Sequence, residues 1–528
     1  MTSAADCDAV VIGAGHNGLA AAVHLASRGW KVIVVEAADQ AGGAVKTLEL
    51  TEPGFRHDLC AMNLSMFAGS AFFATHRDAL VAAGLELMPA ANCFASVFRD
   101  GTALGVSTEV EKTVAGIEPL SAADAAAWKA MLADFGRDAP HIFALLGAPM
   151  PSFGTVKAIW KAWRAIGLDG LYRLANLLVT TPRDFLDRHF EAEKLKVMMA
   201  AWGLHLDFAP DVAGGALFPY LESMANQAFG MVIGKGGADT IIRAMSTVLT
   251  QSGGEIRLGA RVARIERDGS GRAVGVQLAT GQTISAGKAV IANIHPKLLF
   301  GNLLPAADLQ PRFVEKVEAF RPGPGAMMIH LALDDVPDWT AGAHLRDFAY
   351  VHVAPDMRMM SKLYAEAMDG LLPAEPALVV GQPTAVDPSR APDGRHVLWV
   401  QVRVLPFDIR GDARGEIEGT DWDEIKEAYA DRVIDIIETY APGLRAKIRA
   451  RAVYSPLDLQ RDNPNLVGGD SLSGSHHLDQ NFLFRPVAGY SRYRTPVPAL
   501  YMCGASTWPG AGTGAGSGFL LGKMLAGP

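Results

Sequence analysis

An apolar strand that runs directly into a glycine-rich turn opens this chain and constrains its fold more than any other feature. Gly13, Gly15 and Gly18 follow the strand in the pattern G-x-G-x-x-G, and a helix-like stretch then leads to a second apolar run, 32–35, and to Glu36. In such a βαβ unit the first glycine permits a tight turn, the second lets the backbone approach a pyrophosphate, and the third lets the helix pack on the strand. The helix N-terminus adds free N–H groups for the phosphates. The unit predicts a Rossmann-type site for an adenine dinucleotide.

Glu36 and two further glycine-rich segments indicate which dinucleotide binds. A carboxylate at this point can accept hydrogen bonds from the adenosine ribose, which favours FAD or NAD over NADP. Gly42 and Gly43 come just after the acid, where an extended FAD site usually continues. Near the other end of the chain, 499–518 reads as a second strand, glycine loop and helix, suited to placing helix N–H groups on the N1/O2 edge of a flavin. The three segments together favour FAD.

Composition and charge exclude several classes of protein. The 528 residues are 49% hydrophobic and 20% charged, which is typical of a globular protein with more than one lobe. The net charge is −8 and no basic run is present, so we expect no nucleic-acid partner. No apolar stretch is long enough to predict a membrane span. The first strand begins within ten residues of Met1, so we expect no leader peptide.

The four cysteines, Cys7, Cys60, Cys93 and Cys503, are scattered along the sequence and form no C-x-x-C pair. This usage predicts a reducing, cytoplasmic environment and argues against a redox-active disulfide. Adjacent histidines at 476 and 477 lie in a Gly/Ser-rich stretch without further ligand spacing, so we predict a solvated loop and no metal site.

Strand and helix patterns predict an α/β protein whose cofactor domain is discontinuous. The apolar run 289–292 reads as a buried strand that returns to the first sheet, and 423–450 reads as helix. The predicted FAD-binding segments are 1–75, 226–300 and 451–528. The substrate lobe is predicted to consist of a helix-rich part, 76–225, and a mixed part, 301–450.

One segment, 155–178, combines tryptophans with Lys and Arg. Such a helix can lie on a membrane surface, with its Trp and basic residues at the level of the headgroups. It can also be an amphipathic helix that covers the substrate lobe. The sequence favours the second interpretation, because Gly167 and Gly170 interrupt the segment, and peripheral membrane contact stays as the alternative.

Several motifs together resemble those of the phytoene desaturase-like FAD-dependent oxidoreductases. They are the fingerprint with Glu36, the Lys235-Gly-Gly-Ala238 turn, the Val262-x-x-Ile265 strand, and the segments 463–470, 478–486 and 493–510. Within that family the chain is most similar to the subgroup called pyridine nucleotide-disulfide oxidoreductase domain-containing protein 2. The resemblance implies a Rossmann-type FAD-binding domain of the glutathione reductase/amine oxidase kind, with an inserted mixed α+β substrate lobe.

The resemblance also implies a set of cofactor-binding residues. Val262 would contact the adenine through its backbone, Gly236 and Gly237 would lie near the flavin, and Gly514 with Ala515 would cap its pyrimidine edge. The full set is Gly13, Ala14, Gly15, Asn17, Gly18, Glu36, Ala37, Gly42, Gly43, Ala44, Val45, Gly236, Gly237, Val262, Ala292, Gly504, Ala505, Gly514 and Ala515.

The chain departs from the family pattern in two ways. Where the family commonly has His-Pro-Gly-Gly-Gly-Val, this chain has Trp508-Pro-Gly-Ala-Gly-Thr513, which places a tryptophan beside the ring system. The sequence has neither a second dinucleotide fingerprint nor a cysteine pair, which argues against a pyridine-nucleotide-disulfide mechanism. Asp479, Arg485 and Trp508 are candidate catalytic residues, and the sequence does not identify a catalytic base.

The predicted activity is FAD-dependent removal of hydride from an apolar polyene, isoprenoid or lipid-like substrate, with transfer to flavin N5. O₂ or a quinone would accept the electrons, because no nicotinamide site is evident. The alternatives are an amine-oxidase-like flavoenzyme, a flavin-dependent isomerase, and a non-enzymatic lipid-binding escort protein of the GDP-dissociation-inhibitor type. The oligomeric state is not predicted.

Overall fold

The computed structural model describes residues 5–354 and 356–527, and two seven-stranded sheets form its framework. The first sheet carries the N-terminal strand, Cys7–Ile12, at its centre. This strand is apolar and almost wholly buried, as expected for a parallel strand covered on both faces. Its strands are, in spatial order, Val262–Arg267, Ala273–Leu278, Thr283–Ala292, Cys7–Ile12, Val32–Val35 and Glu255–Arg257, with Leu500–Met502 paired to Thr283–Ala292.

The long strand Thr283–Ala292 joins two parts of this sheet. Its first residues pair antiparallel with Ala273–Leu278, and its later residues pair in parallel with the N-terminal strand, so that Ala289 lies opposite Ala9. The prediction that 289–292 returns to the first sheet is confirmed. Leu500–Met502 then adds in parallel on the other side of this strand.

The parallel strands all end at one edge of the sheet. The loops after Ile12, Val35, Ala292 and Met502 are therefore gathered there, although they come from opposite ends of the chain. The carboxyl edge of an open parallel sheet is the usual place for a ligand.

The second sheet lies in the other part of the protein and is mostly antiparallel. Its strands are, in spatial order, Ile448–Tyr454, Gly325–Leu333, His396–Leu405, Ala377–Gly381, Tyr350–Val353, Asn92–Val97 and Ala103–Ser107. Apolar residues on one face pack against the helix Trp422–Tyr440. The opposite face packs against the helical lobe, where Trp399 and Val404 belong to the same core as Trp202 and Tyr220.

Two elements differ from the sequence prediction. Helix over the whole of 423–450 is wrong, because the helix Trp422–Tyr440 stops before Pro442-Gly443 and a short helical turn leads into strand Ile448–Tyr454. Proline followed by a glycine with φ +85° cannot continue a helix. The segment 76–225 contains many helices, but Asn92–Val97 and Ala103–Ser107 form a hairpin that joins the second sheet.

Helices cover the sheets and form the lobe between them. None of those described combines the length and the apolar character needed to cross a bilayer. Three two-stranded ladders pair Thr47–Leu48 with His57–Asp58, Leu87–Ala90 with Met231–Gly234, and Leu371–Leu372 with Gly411–Asp412. The α-helices are His16–Ser27, Ser65–Ala68, Ala71–Ala82, Val110–Ile117, Ala122–Leu146, Phe153–Leu177, Pro182–His189, Glu193–Ala200, Leu217–Phe229, Thr240–Gln251, Pro296–Leu298, Pro311–Glu318, Met357–Met368, Trp422–Tyr440, Leu444–Lys447, Pro456–Asp462 and Gly516–Ala526.

Candidate active site

The glycine fingerprint forms a tight turn between the first strand and the helix His16–Ser27. Gly13 has φ +95°, which a side chain would strain. A Cβ at Gly18 would overlap the carbonyl oxygen of Gly13, so glycine at this position lets the helix start directly against the turn. The helix is preceded by Gly15, which provides no capping side chain, and its first N–H groups stay available to a ligand.

Glu36 is fixed at the end of the second strand by two backbone amides. One carboxylate oxygen accepts a hydrogen bond from the Ala14 N–H at 2.7 Å, and the other accepts from the Ala38 N–H at 2.9 Å. The carboxylate still has free lone pairs on the side of the cavity, beside Ala37 and Val262. This geometry suits the binding of two ribose hydroxyls.

The C-terminal glycine loop lies against the fingerprint. A Cβ at Gly518 would overlap the backbone carbonyl of Asn17, so the helix Gly516–Ala526 packs directly on the helix His16–Ser27. The Nε2 atom of His16 lies 3.1 Å from the carbonyl oxygen of Gly512. The two glycine-rich units of the sequence therefore form one continuous site.

A cavity of about 700 Å³ begins between these loops and extends to the second sheet. Its first part has glycine-lined backbone, uncapped helix N–H groups and a fixed carboxylate, which is the donor and acceptor set that the phosphates and ribose of FAD need. The residues fit the cofactor. Of the predicted cofactor residues, those lining the cavity are Gly13, Gly15, Asn17, Glu36, Ala37, Gly43, Ala44, Val45, Val262, Gly504 and Ala505.

The other predicted cofactor residues lie behind this lining. Ala14 and Gly18 support Glu36 and the fingerprint turn as described above, and Ala292 is buried at the end of its strand. Gly42 donates its N–H to the carbonyl oxygen of Ala14. Gly514 packs near Met66, and Ala515 has φ +56° just before the last helix.

The turn with Gly236 and Gly237 lies outside the cavity, and its packing accounts for both glycines. The Gly236 N–H donates to a carboxylate oxygen of Asp387 at 2.5 Å. A Cβ at Gly237 would overlap the side chain of Thr47. The geometry therefore gives these glycines a structural role and does not place them beside the flavin.

The three candidate catalytic residues have different environments. Asp479 forms an exposed ion pair with Arg321 at 2.8 Å, outside the cavity. Arg485 is completely buried, and its guanidinium donates to the carbonyl oxygens of Ser475 and Ala505, among others, so it stabilises the loop. Trp508 lines the cavity, where a hydrogen bond of 2.9 Å from its indole N–H to the Ala148 carbonyl oxygen fixes the ring.

His476 is also buried, which corrects the prediction of a solvated loop. Its Nε2 accepts a hydrogen bond from the Ala511 N–H at 3.1 Å, so the imidazole holds the C-terminal glycine loop in place. In the described part of the chain, no cluster of three or more His, Cys, Asp or Glu residues could hold a metal ion.

The far part of the cavity consists of residues that sequence reasoning missed. They come from the helix Leu217–Phe229, from the turn after Ala200, and from the second sheet. Tyr350 and Trp399 stack at 5.8 Å between ring centroids and form one wall. The residues of this part are Trp202, His205, Leu206, Leu217, Phe218, Leu221, Glu222, Tyr350, Trp399, Gln401 and Arg403.

Three carboxylates line the whole cavity, and they differ in how they are bound. Glu36 accepts two backbone hydrogen bonds, and Asp462 forms an ion pair of 2.9 Å with buried Lys46. The carboxylate of Glu222 forms no hydrogen bond or ion pair with any residue that the structure describes. Burial raises the pKa of Glu222 to about 7, so Glu222 can gain or lose a proton near neutral pH.

Buried neutral histidines predict an acid-sensitive fold. His330 and His352 are buried in the second sheet with no partner for either ring nitrogen, and burial holds the pKa of His330 well below 6.5 and that of His352 at about 3. In the unfolded chain these groups protonate at about pH 6.5. The unfolded state therefore binds more protons, and the free energy of unfolding falls by about 1.4 kcal/mol per histidine for each pH unit below 6.5.

Raised carboxyl pKa values, such as those of Glu222 and Asp207, offset part of this loss because the folded state takes up their protons. Buried histidines outnumber them, since His57, His205 and His476 also have lowered pKa values. We expect the melting temperature to fall steadily between pH 7 and pH 5, measured by thermal unfolding at constant ionic strength. A flat or rising profile over this range would contradict the prediction.

Comparison with known proteins agrees with this site. The model of the family described as flavin containing amine oxidoreductase matches residues 18–516. Pyridine nucleotide-disulfide oxidoreductase domain-containing protein 2 from Rattus norvegicus is 29% identical, over 96% of this chain and 90% of the relative. Phytoene dehydrogenase from Streptomyces griseus is 28% identical, over 98% and 95%. A polypeptide of the limonene dehydrogenase from Castellaniella defragrans is 27% identical, over 100% and 95%.

Solved structures show the same fold. Cyclohexylamine oxidase from Brevibacterium oxydans superimposes with a TM-score of 0.59 at 16% identity, over 99% of both chains. The predicted family resemblance, fold class and cofactor are confirmed, and the alternative of a non-enzymatic escort protein is excluded. The chain belongs to the flavin containing amine oxidoreductase family and is an FAD-dependent oxidoreductase.

Proposed function

We propose that this oxidoreductase desaturates an apolar substrate, a polyene, isoprenoid or other lipid-like molecule. The observation that carries the proposal is the apolar wall of the cavity beyond the dinucleotide site, where Leu206, Leu217, Phe218 and Leu221 converge. Such a wall binds a hydrocarbon by burial and offers few groups to a polar substrate. Relatives whose names print phytoene or limonene support this substrate class.

When bound, FAD supplies a hydride acceptor at flavin N5. The chain itself has three tasks in this proposal. Residues of the two glycine loops hold the cofactor, and the apolar wall orients the substrate and keeps water out. Formation of a C=C bond also releases a proton, and we assign its removal to the carboxylate of Glu222, which faces the cavity without a partner.

The test is anaerobic reduction of the bound flavin. Purified holoenzyme should be yellow, and a polyene or long-chain hydrocarbon substrate should bleach it, with the C=C product identified by mass spectrometry. Bleaching by primary amines and not by apolar substrates would favour the amine-oxidase-like alternative. An apolar substrate that rearranges without net flavin reduction would favour the isomerase.

We propose O₂ or a quinone as the acceptor of the electrons. No second dinucleotide fingerprint is present in the sequence to bind a nicotinamide cofactor. Reoxidation of the reduced holoenzyme by oxygenated buffer or by a soluble quinone would support this assignment. Reoxidation that requires NAD⁺ or NADP⁺ would contradict it.

We also propose peripheral membrane contact through the helix Phe153–Leu177. This helix buries its small residues Ala158 and Ala162 and exposes large apolar ones, which reverses the usual pattern of a surface helix. Phe153 is 84% and Trp160 is 54% exposed. The basic residues Lys157, Lys161 and Arg164 are exposed on the same helix, as at an anionic bilayer surface.

The double substitution Phe153→Ser/Trp160→Ser tests this contact. Each side chain that enters the bilayer interface contributes about 1.5–3 kcal/mol, so we expect partition onto anionic phospholipid vesicles to fall at least about 10-fold. Sedimentation with vesicles measures the bound fraction. The control is Leu258→Ser/Met368→Ser, which removes two exposed apolar side chains elsewhere. Equal losses in both variants, or no loss in either, would contradict the proposed surface.

A further inference from the structure

A cation without a counter-ion lies at the far end of the cavity. Arg403 projects from the strand His396–Leu405 and lines the cavity, and it forms no ion pair with any carboxylate of the described residues. Its Nη atoms lie 3.3 Å from the carbonyl oxygen and 3.4 Å from the ring nitrogen Nδ1 of His205, and its Nε is buried with no partner. A buried charge of this kind costs several kcal/mol unless something compensates it.

Two other buried arginines show that this is unusual for the chain. Arg390 forms ion pairs with Asp58 and Asp387 and donates to the Gly234 carbonyl oxygen. Arg485 donates to several backbone carbonyl oxygens. Both are saturated within the protein, whereas Arg403 keeps donors free and aimed at the cavity.

Further polar atoms without partners surround Arg403. The indole N–H groups of Trp202 and Trp399, the Nε2 of His205 and the amide oxygen of Gln401 are all buried without a hydrogen bond, and all four side chains line the cavity. Buried polar groups in native proteins nearly always have partners. A cluster of such groups around one cation indicates that a ligand supplies the partner.

The neighbouring titratable groups leave this end of the cavity positive. Burial and the nearby charge of Arg403 keep the pKa of His205 and His352 below 6.5, so both are neutral at pH 7. Asp470 approaches from the side of the loop, but three backbone N–H groups already bind its carboxylate. Glu222 also lines the cavity and does not pair with the guanidinium.

We propose that the substrate is amphipathic and carries one carboxylate, which binds to Arg403 while its apolar chain extends along Leu206, Leu217 and Leu221. This rests on the proposed function and narrows its substrate class. A single planar guanidinium binds a carboxylate through two parallel hydrogen bonds. The Trp399 N–H is free to donate to the same anion. No lysine of the lining accompanies Arg403 at this end, which favours a single negative charge over a phosphate.

Binding of decanoate and decanamide to the FAD-loaded protein tests this assignment. The two probes have the same apolar chain and differ in charge, and perturbation of the flavin spectrum or quenching of tryptophan fluorescence reports their binding. Hydrogen bonds to a charged group correspond to about a 10- to 100-fold change in affinity. We expect wild-type protein to prefer decanoate by at least about 10-fold, and Arg403→Gln to lose this preference.

The control is Arg395→Gln, which makes the same change just before the same strand, where the side chain forms a surface ion pair with Asp334. It should keep the preference for decanoate. If Arg403→Gln does not fold with FAD, Trp399→Phe removes a single donor and should reduce the preference about 3-fold or more. Equal affinity of wild-type protein for both probes, or an unchanged preference in the variant that folds, would overturn the proposal.

This binding measurement does not require turnover, so its failure differs from failure of the proposed desaturation. A retained carboxylate preference without flavin reduction by any apolar substrate would leave the anion site standing and contradict the reaction. Flavin reduction by uncharged and carboxylated chains with equal affinity would support the reaction and overturn the anion site.

Discussion

Substitution of Glu222 by Gln is expected to slow substrate-driven reduction of the flavin by about 10²- to 10⁴-fold, the usual contribution of a general base. Glutamine preserves the shape of the side chain but cannot accept the proton. The residue lies in the far part of the cavity, away from the fingerprint loops, so the content of bound FAD should stay as in wild-type protein. Stopped-flow anaerobic reduction by the substrate measures the rate.

The pH dependence of that rate distinguishes a base from a merely structural residue. A base must be ionised, and burial raises the pKa of Glu222 to about 7. The rate at low substrate concentration should therefore rise as the pH increases through about 7 and level off above it, and Glu222→Gln should lack this limb. Glu118→Gln, at an exposed position, is the matched control. A variant of Glu222 with wild-type rate and an unchanged pH limb would exclude the assignment.

The cofactor half of the molecule could be predicted because its signals are local. Gly13, Gly18 and Glu36 are close in sequence, and each has a single physical reason to occupy its place. The strand 289–292 could be placed for a similar reason, since an apolar run without alternation is typical of a central parallel strand. Joining these pieces to the C-terminal loop required only the rule that parallel strands gather their loops at one edge.

The substrate half could not be predicted, because its residues become neighbours only through tertiary packing. Trp399, Gln401 and Arg403 alternate along an apolar strand and share one face, which is a signal in hindsight. Glu222 follows Phe218 by one helical turn on the apolar face of its helix. Neither pattern tells a functional polar residue from one that is satisfied within the core, since that depends on which partners other segments supply.

Motif residues were also assigned to chemistry where the structure uses them for support. Gly237 is required by the side chain of Thr47, and Arg485 by the carbonyl oxygens of a long loop. Both residues belong to motifs shared with the family, yet one lies outside the cavity and the other has no free donor directed into it. A motif thus marks a position under constraint, and only the contacts show whether the constraint is chemical or structural.

Gly518 is the position where the strongest effect on cofactor binding is expected. A Cβ at this residue would overlap the backbone carbonyl of Asn17 and approach the backbone nitrogen of Ala21. Backbone atoms cannot turn aside as a side chain can, so Gly518→Ala must push the last helix away from the helix His16–Ser27. Overpacking of this kind costs about 3 kcal/mol, and the displacement would separate the two glycine loops that enclose the dinucleotide.

We therefore expect Gly518→Ala to purify with little or no FAD and to melt at a lower temperature, even when FAD is added in excess. Gly136→Ala is the matched control, because it makes the same substitution inside the helix Ala122–Leu146, where a Cβ meets no atom within 4 Å. Alanine there should stabilise the helix by about 0.5–1 kcal/mol. Flavin absorbance per mole of protein and thermal unfolding measure both variants. Wild-type flavin content in Gly518→Ala would show that the two helices can separate without opening the site, and would contradict the view that their direct contact holds the two loops together.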